Sequence, residues 1–397
     1  MSQRRIGFVV PRYGEDVLGG AETLARGLAE QLTSRRLADI EVLTTCVRDH
    51  LTWENELPAG ESRVNDVSVR RFPMVQTCGD LTRYHALNLR LIRGEILRQD
   101  EQYEWVDGNP HSPALYGYIE GHAHEFDLLF FIPYLFGTTY YGSAIYPSRS
   151  ILWPCLHNES YAYLSPTRDV YCGCLGVMFN SDPERLLARR LYGPHAGAQV
   201  VGFGIDPFQA DAERFRTKYR LSAPFILYSG RLEGAKNVPL LVDHFLEYVR
   251  RRGRVVKLVL MGSGPEAGPK HKDIIRIGFK TGQEKLDAYA AAAVLCQPSV
   301  NESFSIVIME SWLCAVPVLV HADSEVTRHH VVQSNGGLYF RSYDEFESAL
   351  DLFLGEDDLR RRMGMNGHAY VRDQYNWNAV LGRFEKAMEH WLAARPT

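Results

Sequence analysis

Short apolar runs alternate with helical patterns along this chain, and the alternation starts twice. The first series runs from residue 5 to residue 201, and the second begins at residue 225. Strands that alternate with helices form parallel β-α-β units, in which helices cover both faces of the sheet. A charged stretch at 205–223 separates the two series. We therefore expect an α/β protein with two Rossmann-like, doubly wound parallel-sheet domains.

The predicted elements define three segments of the chain. Strands are predicted at 5–10, 40–45, 67–72, 127–132, 150–156, 177–180 and 199–201, and then at 225–230, 257–261, 274–278, 294–297 and 316–320. We assign 1–205 to an amino-terminal domain and 206–375 to a carboxy-terminal domain. The remaining segment, 376–397, is a helix with one apolar face, and we expect it to pack back on the amino-terminal domain.

The composition is that of a globular protein with no general affinity for polyanions. Of 397 residues, 45% are hydrophobic and 23% are charged, and the net charge of −4 does not favour a nucleic-acid partner. The first apolar run is too short for a signal sequence, and no run approaches the roughly 20 residues of a membrane span. The seven cysteines are scattered, with only Cys172 and Cys174 close together. Reduced thiols in a cytoplasmic protein explain this distribution.

One segment, 76–118, does not follow the alternation. It contains a basic helix predicted at 81–99, which carries Arg83, Arg90, Arg93 and Arg98. Its leucines are spaced so that they could pack on the domain. Its arginines could instead contact an anionic acceptor, or anionic lipid at the inner face of the cytoplasmic membrane. The sequence leaves these interpretations open.

Glu302 and Glu310 stand in an otherwise apolar stretch. Eight positions along a helix make about two turns, so both carboxylates would face nearly the same side. Carboxylates are seldom buried without partners, and a carboxylate can accept paired hydrogen bonds from a sugar diol. The pair therefore indicates a hydroxyl-rich ligand. A helix-capping glutamate followed by an unrelated surface glutamate would give the same pattern.

Arg231 and Lys236 follow the first strand of the second series, five positions apart. Arginine offers a planar fork to a phosphate and lysine a point charge, so the two could bind one anion. A solvated loop is the alternative.

The turn that begins at Gly262 and Gly264 only partly matches a dinucleotide-binding fingerprint. The third glycine is missing, Pro265 interrupts the turn, and no Gly-Lys-Ser/Thr follows. We interpret it as a close-approach turn beside a nucleotide.

Two features of the first series lie at predicted strand ends. Gly19 and Gly20 precede the first helix, where backbone N–H groups and the helix dipole favour an anion. Glycine pairs are also common in ordinary turns. His157 follows the strand predicted at 150–156, where it could have a structural role or face a ligand.

These motifs occur in an order that resembles glycosyltransferase family 4, whose members are retaining enzymes of the GT-B fold with two domains facing an interdomain cleft. The resemblance covers nearly the whole chain and is most specific from 225 to 320. It implies that 1–205 is the acceptor-side domain and that 206–375 is the nucleotide-sugar-binding domain. The motifs are Gly19-Gly20-Ala21-Glu22, His157, Gly202-x-Gly204-Ile205-Asp206, Ser229-Gly230-Arg231 with Lys236, Gly262-Ser263-Gly264, and Glu302 with Glu310.

The resemblance implies a role for each of these residues in binding a nucleotide-diphosphate sugar. Arg231 and Lys236 would bind the diphosphate, Glu310 the ribose hydroxyls and Glu302 the transferred sugar. Further contacts would come from Gly19, Gly20 and Gly230 near the diphosphate, Gly262 beside the nucleotide, Gly278 and Phe279 around the base, the backbone at Phe304 and Ser305, and His157 at the donor sugar. Serines at 303 and 305 stand where the family more often has glycine, which would narrow the sugar pocket.

The implied activity is retaining, metal-independent transfer of a sugar from a UDP-sugar or a GDP-sugar to a hydroxyl of a sugar or lipid-linked glycan. Such a reaction would belong to glycan, polysaccharide or glycolipid biosynthesis. The chain lacks an Asp-x-Asp metal motif, and the departing phosphate would take the acceptor proton, so no side-chain base is assigned. A nucleotide-sugar epimerase of the same fold and a non-catalytic nucleotide-sugar-binding subunit are the alternatives. The interrupted fingerprint at 262–268 disfavours an NAD-dependent oxidoreductase.

Overall fold

A computed structural model describes residues 4–17, 19–50, 52–75, 80–266 and 268–395. The chain divides into two compact units. One unit joins Met1–Gly204 to Leu381–Thr397, and the other comprises Ile205–Val380. Each unit is an α/β structure built on one sheet, which confirms the predicted fold class.

The amino-terminal unit contains a mainly parallel sheet. Its strands, among the described residues, are β1 (Arg5–Val9), β2 (Asp39–Thr45), β3 (Gly60–Val64), β4 (Val67–Phe72), β5 (Leu128–Phe131), β6 (Ser150–Leu152), β7 (Gly176–Phe179) and β8 (Ala198–Val200). Their order in the sheet is β3-β4-β2-β1-β5-β6-β7-β8. Strand β3 pairs with β4 in antiparallel orientation, whereas the other neighbours are parallel. Strand β3 was not predicted, because this edge strand is mostly exposed and has no apolar pattern.

Helices connect these strands. They are α1 (Gly20–Ser34), α2 (Leu81–Ile92), α3 (Gln99–Asp107), α4 (Pro113–His122), α5 (Gly137–Ile145), α6 (Ser165–Gly173) and α7 (Asp182–Tyr192). The prediction of one basic helix over 81–99 was wrong. Helix α2 ends at Ile92 because Gly94 takes a left-handed conformation with φ 75°. A new helix then starts, and the Glu101 carboxylate accepts a hydrogen bond of 3.0 Å from the Arg98 backbone N–H at its entrance.

The carboxy-terminal unit contains a fully parallel sheet. Its described strands are β9 (Phe225–Ser229), β10 (Lys257–Met261), β11 (Ile274–Arg276), β12 (Val294–Gln297), β13 (Val318–His321) and β14 (Gly337–Phe340), in the order β11-β10-β9-β12-β13-β14. Strands β9, β12 and β13 are buried along their whole length and mostly apolar, as expected where helices cover both faces. Strand β14 was not predicted from the sequence.

The helices of this unit are α8 (Ala212–Tyr219), α9 (Val238–Arg252), α10 (Gly282–Ala291), α11 (Ile306–Leu313), α12 (Glu325–Ser334), α13 (Tyr343–Gly355) and α14 (Asp357–Gln374). The core joins the central strands to helix α9, whose Leu241, Phe245 and Tyr248 are fully buried beside Ile226 and Tyr228. Each aliphatic or phenylalanine side chain buried in this way stabilises the fold by about 1.5–3 kcal/mol.

The last helix, α15 (Trp377–Ala393), contributes its residues from Leu381 onwards to the amino-terminal unit. There Phe384 and Trp391 pack against Phe130 of β5, with ring centroids 5.7 Å apart in both pairs. The Trp391 indole N–H donates to the Gly197 carbonyl at 2.7 Å. The apolar face of this helix thus belongs to the core of the first sheet.

Candidate active site

The loops that follow β9, β10 and β11 are joined by main-chain hydrogen bonds at the carboxyl edge of the second sheet. The Gly230 N–H donates to the Met261 carbonyl at 3.0 Å, and the Gly262 N–H donates to the Gly278 carbonyl at 3.0 Å. A further bond of 2.9 Å links the Leu232 N–H to the Ser263 carbonyl. Gly230, Gly262 and Gly278, predicted from three separate motifs, therefore line one continuous backbone surface.

Glycine is required in this surface by close main-chain approach. Gly262 has φ 159°, and a Cβ atom there would overlap the carbonyl oxygen of Gly230. Gly264, with φ 146°, would in the same way meet the carbonyl of Leu232. A side chain at either position would force the loops apart. Gly278, with φ 71°, has open space around it, and the neighbouring Phe279 side chain is half exposed.

Lys236 and Glu302 are in direct contact. The Lys236 ammonium lies 2.8 Å from Glu302 Oε1, and the two side chains are 22% and 11% exposed. Asn237, in a left-handed conformation, donates its amide N–H to the Pro298 carbonyl at 3.2 Å and so ties the loop after β9 to the loop after β12. The Gln297 amide also donates to Glu302, at 3.4 Å. The second sheet thus places a cation and a carboxylate side by side.

Arg231 is arranged differently from Lys236. Its guanidinium lies 3.1 Å from the Glu233 carboxylate, and the side chain is 56% exposed. A surface ion pair of this kind contributes about 0–1 kcal/mol, so it holds the side chain only weakly. The Arg231 carbonyl is fixed by the buried Tyr228 hydroxyl at 2.6 Å. The backbone is therefore anchored, while the guanidinium can turn towards an anion.

Helix α11 begins later than the sequence predicted. It starts at Ile306, with Ser305 in a left-handed conformation at φ 69°, so Glu302 lies in the preceding loop and only Glu310 is helical. The expectation that both carboxylates lie on one face of a single helix was therefore wrong. The Ser305 hydroxyl is buried and has no hydrogen-bond partner among the described residues. The Phe304 ring is also buried and packs edge-on against His330, so only its backbone could contact a ligand.

Glu310 is held by residues that the sequence did not single out. The Lys285 ammonium lies 2.6 Å from Glu310 Oε1, and the Tyr289 hydroxyl donates to Glu310 Oε2 at 2.9 Å. Tyr289 is fully buried and also hydrogen-bonds the Ser229 hydroxyl at 2.9 Å. Burial raises the pKa of this tyrosine well above its usual value. The spacing of Lys285 and Tyr289, one turn apart on α10, was the available signal.

In the amino-terminal unit, a carboxylate already occupies the space beside Gly19. Glu22 in the first turn of α1 forms a buried ion pair with Arg12, and its side chain packs so closely on Gly19 that a Cβ there would overlap it. Gly20, by contrast, is exposed and has open space around it. The requirement for glycine at 19 is therefore explained by the ion pair, whereas the role of Gly20 stays a prediction.

His157 lies in the loop after β6. Its Nδ1 is 3.4 Å from Glu159 Oε1, which also accepts a hydrogen bond of 2.8 Å from Tyr134. The preceding residue, Leu156, donates its backbone N–H to the buried Glu184 carboxylate at 2.6 Å. Burial raises the pKa of Glu184 to about 8, and three backbone N–H donors act in the opposite direction. The hydrogen bond from Leu156 to Glu184 therefore holds the start of the loop that carries His157.

Three of the four arginines named above have carboxylate partners within the 76–118 segment. These pairs are Arg83 with Glu101 and Glu104, Arg90 with Glu95 and Glu101, and Arg98 with Asp100 and Glu101. Their charge is therefore largely neutralised, which weakens the expectation of an anionic partner. The same segment exposes Leu81, Leu89, Ile92 and Ile96.

No cluster of three or more His, Cys, Asp or Glu side chains among the described residues could hold a metal ion. Within the same residues, no helix is both long and apolar enough to cross a bilayer.

The chain has the fold of the GT-B glycosyltransferases. Sucrose-phosphate synthase from Thermosynechococcus elongatus superposes with a TM-score of 0.73 at 16% identity, over 99% of this chain and 100% of that one. HepE from Anabaena, solved with UDP and glucose, superposes with a TM-score of 0.71 at 15% identity, over 97% and 99% of the two chains.

Sequence comparison points to the same class. Residues 209–370, which include Arg231, Lys236, Glu302 and Glu310, match the family model for glycosyl transferases group 1. A D-inositol 3-phosphate glycosyltransferase from Kineococcus radiotolerans is 29% identical over 256 residues, which make up 55% of this chain and 59% of that protein. The chain spans about half the length of the curated relatives that it matches.

Proposed function

We propose that this protein is a retaining, metal-independent glycosyltransferase of family 4. Its donor would be a nucleotide-diphosphate sugar, with UDP favoured because the fold neighbour HepE was solved with UDP and glucose and with UDP-glucose. Its acceptor would be a hydroxyl of a sugar or lipid-linked glycan. The reaction would serve glycan, polysaccharide or glycolipid biosynthesis.

One observation carries the proposal. Lys236, in contact with Glu302, lies at the same edge of the second sheet as the glycine-lined backbone surface and the Glu310 network. Ligands of doubly wound sheets bind beyond the carboxyl ends of the strands. A cation, two carboxylates and free backbone space match the diphosphate, the hydroxyls and the close approach that a nucleotide sugar requires.

The proposed chemistry follows from the charge that develops as the sugar–phosphate bond breaks. Negative charge grows on the leaving diphosphate and positive charge on the anomeric carbon. Lys236, Arg231 and the N-terminus of α11 would stabilise the diphosphate. Glu302 would hold hydroxyls of the transferred sugar, and Glu310 would hold the ribose diol. In the retaining course, the acceptor attacks from the face of the leaving group, and the departing phosphate oxygen takes its proton.

His157 would then position the donor sugar rather than act as a base. Its contact with Glu159, itself held by Tyr134, fixes one ring nitrogen and leaves the other for a sugar hydroxyl. The backbone bond from Leu156 to Glu184 keeps the loop in place.

The decisive experiment is a product analysis with UDP- and GDP-sugars in the presence of EDTA. A glycoside of retained anomeric configuration, formed with methyl hexopyranosides or a lipid-linked glycan as acceptor, is the expected result. The anomeric configuration would be read from proton coupling constants by NMR. A product of inverted configuration, or activity abolished by EDTA, would contradict the retaining or the metal-independent part respectively.

The same assay distinguishes the two alternatives. An epimerised nucleotide sugar formed without any acceptor would identify an epimerase. Tight nucleotide-sugar binding with no donor hydrolysis and no transfer would identify a binding subunit.

The exposed apolar side chains of helix α2 give the membrane interpretation a separate test. Leu89 and Ile92 are 53% and 64% exposed, and Ile96, just after the helix, is 91% exposed. We propose that these residues contact a lipid surface. Co-sedimentation with phosphatidylglycerol vesicles should fall in an Ile92→Ser/Ile96→Ser variant, and retention of binding by this variant would rule the surface out.

A further inference from the structure

We propose that Trp53, Phe136, Arg12 and Glu22 form a subsite for a neutral pyranose ring at the carboxyl edge of the first sheet. Its role as the acceptor subsite rests on the proposed glycosyl transfer. Its ability to bind a sugar does not, and can be measured without any nucleotide.

The topology places these residues together. Arg12 follows β1, Trp53 lies in the loop after β2, and Phe136 follows β5 at the start of α5. Strands β2, β1 and β5 are neighbours in the sheet and parallel. Their carboxyl ends therefore meet at one edge, which is where α/β sheets bind ligands.

The two aromatic rings are in contact and partly open to solvent. The centroids of Trp53 and Phe136 lie 5.1 Å apart with the planes tilted by 54°. Both side chains are only half-buried, unlike the fully buried Phe8 and Phe130 beneath them in the sheet. Partly exposed aromatic faces that converge at a strand edge are suited to stacking, because each ring buries a large apolar area with few rotatable bonds.

Hydrogen bonds hold the chain just after Trp53. The Asn55 side chain makes two hydrogen bonds of 2.8 Å with the backbone of Met74, one as donor and one as acceptor. The Leu57 N–H donates to the Cys46 carbonyl at 2.8 Å. Trp53 itself has φ 54°, a conformation that bulky residues rarely adopt. The indole is therefore presented in a fixed position, which lowers the entropic cost of binding.

The polar part of the subsite is electrically balanced. Arg12 and Glu22 form an ion pair in which both side chains are about nine-tenths buried, and Arg12 also donates to the Arg48 carbonyl at 3.0 Å. The Arg12 guanidinium lies 6.0 Å from the Trp53 ring centroid. A buried, neutralised pair does not attract a phosphate. It offers charged donors and acceptors to hydroxyl groups.

A pyranose matches this combination because it has an apolar C–H face and a rim of hydroxyls. The face would stack on Trp53 with Phe136 beside it, and rim hydroxyls would hydrogen-bond the Arg12–Glu22 pair. A nucleoside diphosphate matches it poorly, since the Arg12 charge is already neutralised by Glu22 and is not available to a phosphate. The geometry thus assigns a neutral sugar to the first sheet.

The test is saturation-transfer NMR on the full chain without nucleotide. The probes are methyl β-D-glucopyranoside, methyl β-D-galactopyranoside and methyl α-D-mannopyranoside. At least one should receive saturation mainly on the C–H protons of one ring face. The Trp53→Ala and Phe136→Ala variants should each reduce this signal at least fivefold. No signal from any probe with the wild-type protein, or an unchanged signal in Trp53→Ala, would overturn the subsite.

Controls separate stacking from folding. Tyr339→Ala removes an aromatic side chain that is 49% exposed on β14 of the other unit, and it should leave the signal unchanged. If Trp53→Ala does not fold, Trp53→Leu and Trp53→Phe replace it. The phenylalanine should keep most of the signal and the leucine should lose it, and equal signals from both would contradict stacking.

Nucleotide binding by the same samples separates this inference from the proposed function. Wild-type protein that binds UDP or GDP but no glycoside would refute the subsite alone. Wild-type protein that binds a glycoside through Trp53, but neither nucleotide, would refute the donor site and leave the sugar subsite standing.

Discussion

The carboxyl edges of the two sheets carry opposite kinds of chemistry. At the second sheet, Lys236 contacts Glu302 and Lys285 contacts Glu310, each pair partly accessible beside loops of bare backbone. At the first sheet, Arg12 and Glu22 are buried together under two half-exposed aromatic rings. The carboxylates of all three pairs are nearly nine-tenths buried, but the two lysines of the second edge are 22% and 29% exposed, whereas Arg12 of the first edge is 7% exposed.

This difference shows that one sheet architecture can be specialised by where its charges are buried. If the donor binds as proposed, the partly accessible Lys236 ammonium can gain a phosphate oxygen as a further partner. A buried pair cannot open without a large desolvation cost. The five predictions that follow test the contrast, in order of decreasing expected effect.

The largest effect is expected at Lys236. Lys236→Met should lower kcat/KM about a thousandfold, because one charge near a phosphate oxygen contributes about 4 kcal/mol at an effective dielectric of 20. Steady-state kinetics with the preferred donor would measure it. Lys218→Met is the matched control, since Lys218 also pairs with a glutamate, Glu284, at 2.7 Å. Wild-type turnover in Lys236→Met would remove the diphosphate role.

The second prediction concerns acid stability of the carboxy-terminal unit. Burial lowers the pKa of His330 to about 3, and its Nδ1 bonds the Tyr370 hydroxyl at 2.9 Å. The folded pKa is below the unfolded value of about 6.5, so stability is present above pH 6.5 and is lost as pH falls towards 3. The loss should reach about 3 kcal/mol by pH 4. In denaturant titrations, the free energy of unfolding of His330→Gln should fall less steeply below pH 6.5 than that of the wild-type protein. An equally steep fall would contradict this.

The amino-terminal unit should respond in the opposite direction through Glu184. Its folded pKa of about 8 lies above the unfolded value, so its contribution is complete below about pH 4.5 and is lost as pH rises through 8. Between pH 5 and pH 7 the loss should be about 2 kcal/mol. Glu184→Gln should remove this slope in the same denaturant titrations. A wild-type stability that rises over this range relative to the variant would show that the three N–H bonds outweigh burial.

The fourth prediction concerns the ribose contact. Glu310→Gln should weaken nucleoside diphosphate binding about tenfold, because a hydrogen bond to a charged group contributes about 1.5–3 kcal/mol. Lys285→Met should give a smaller loss in the same direction, since the carboxylate keeps Tyr289 but loses its cation. Calorimetry with UDP, and with 2′-deoxy-UDP as control, would measure both. Discrimination between the two nucleotides that survives in Glu310→Gln would refute the contact.

The smallest effect is expected at Gly20. Gly20→Ala meets no neighbouring atom, so folding should be unaffected. If Gly20 contacts the diphosphate, UDP affinity should fall by a few-fold, to an extent that calorimetry resolves. Gly19→Ala is the contrasting variant, because its Cβ would collide with Glu22 and lower thermal stability instead. Unchanged UDP affinity in Gly20→Ala would leave no role for the glycine pair in anion binding.

Sequence patterns predicted the parts of this fold that depend on burial. Mostly apolar runs such as Phe225–Ser229 and Val294–Gln297 were recognisable because both faces of these strands are covered. Strand β3 was missed because its side chains are exposed, and the division of the 81–99 helix was missed because one glycine, Gly94, decides it. A change of backbone conformation at a single residue hardly alters the spacing of apolar residues, so the sequence pattern does not reveal it.

In the candidate site, the sequence predicted single residues better than pairs. Lys236 and Glu302 were each selected, but their contact depends on the Asn237–Pro298 bond between two loops. Lys285 and Tyr289 were overlooked because their partner Glu310 lies 25 and 21 positions further along the chain. Trp53 and Phe136 come from loops 83 positions apart and meet only through the strand order of the first sheet.

The main-chain bonds that link the loops after β9, β10 and β11 have a consequence for divergence. A surface made of backbone amide and carbonyl groups does not depend on the neighbouring side chains, as long as Gly262 and Gly264 carry none. Side chains around this surface can therefore change without displacing the backbone groups that form it. The evolutionary constraint falls on Gly262 and Gly264, because any side chain at these positions would force the loops apart.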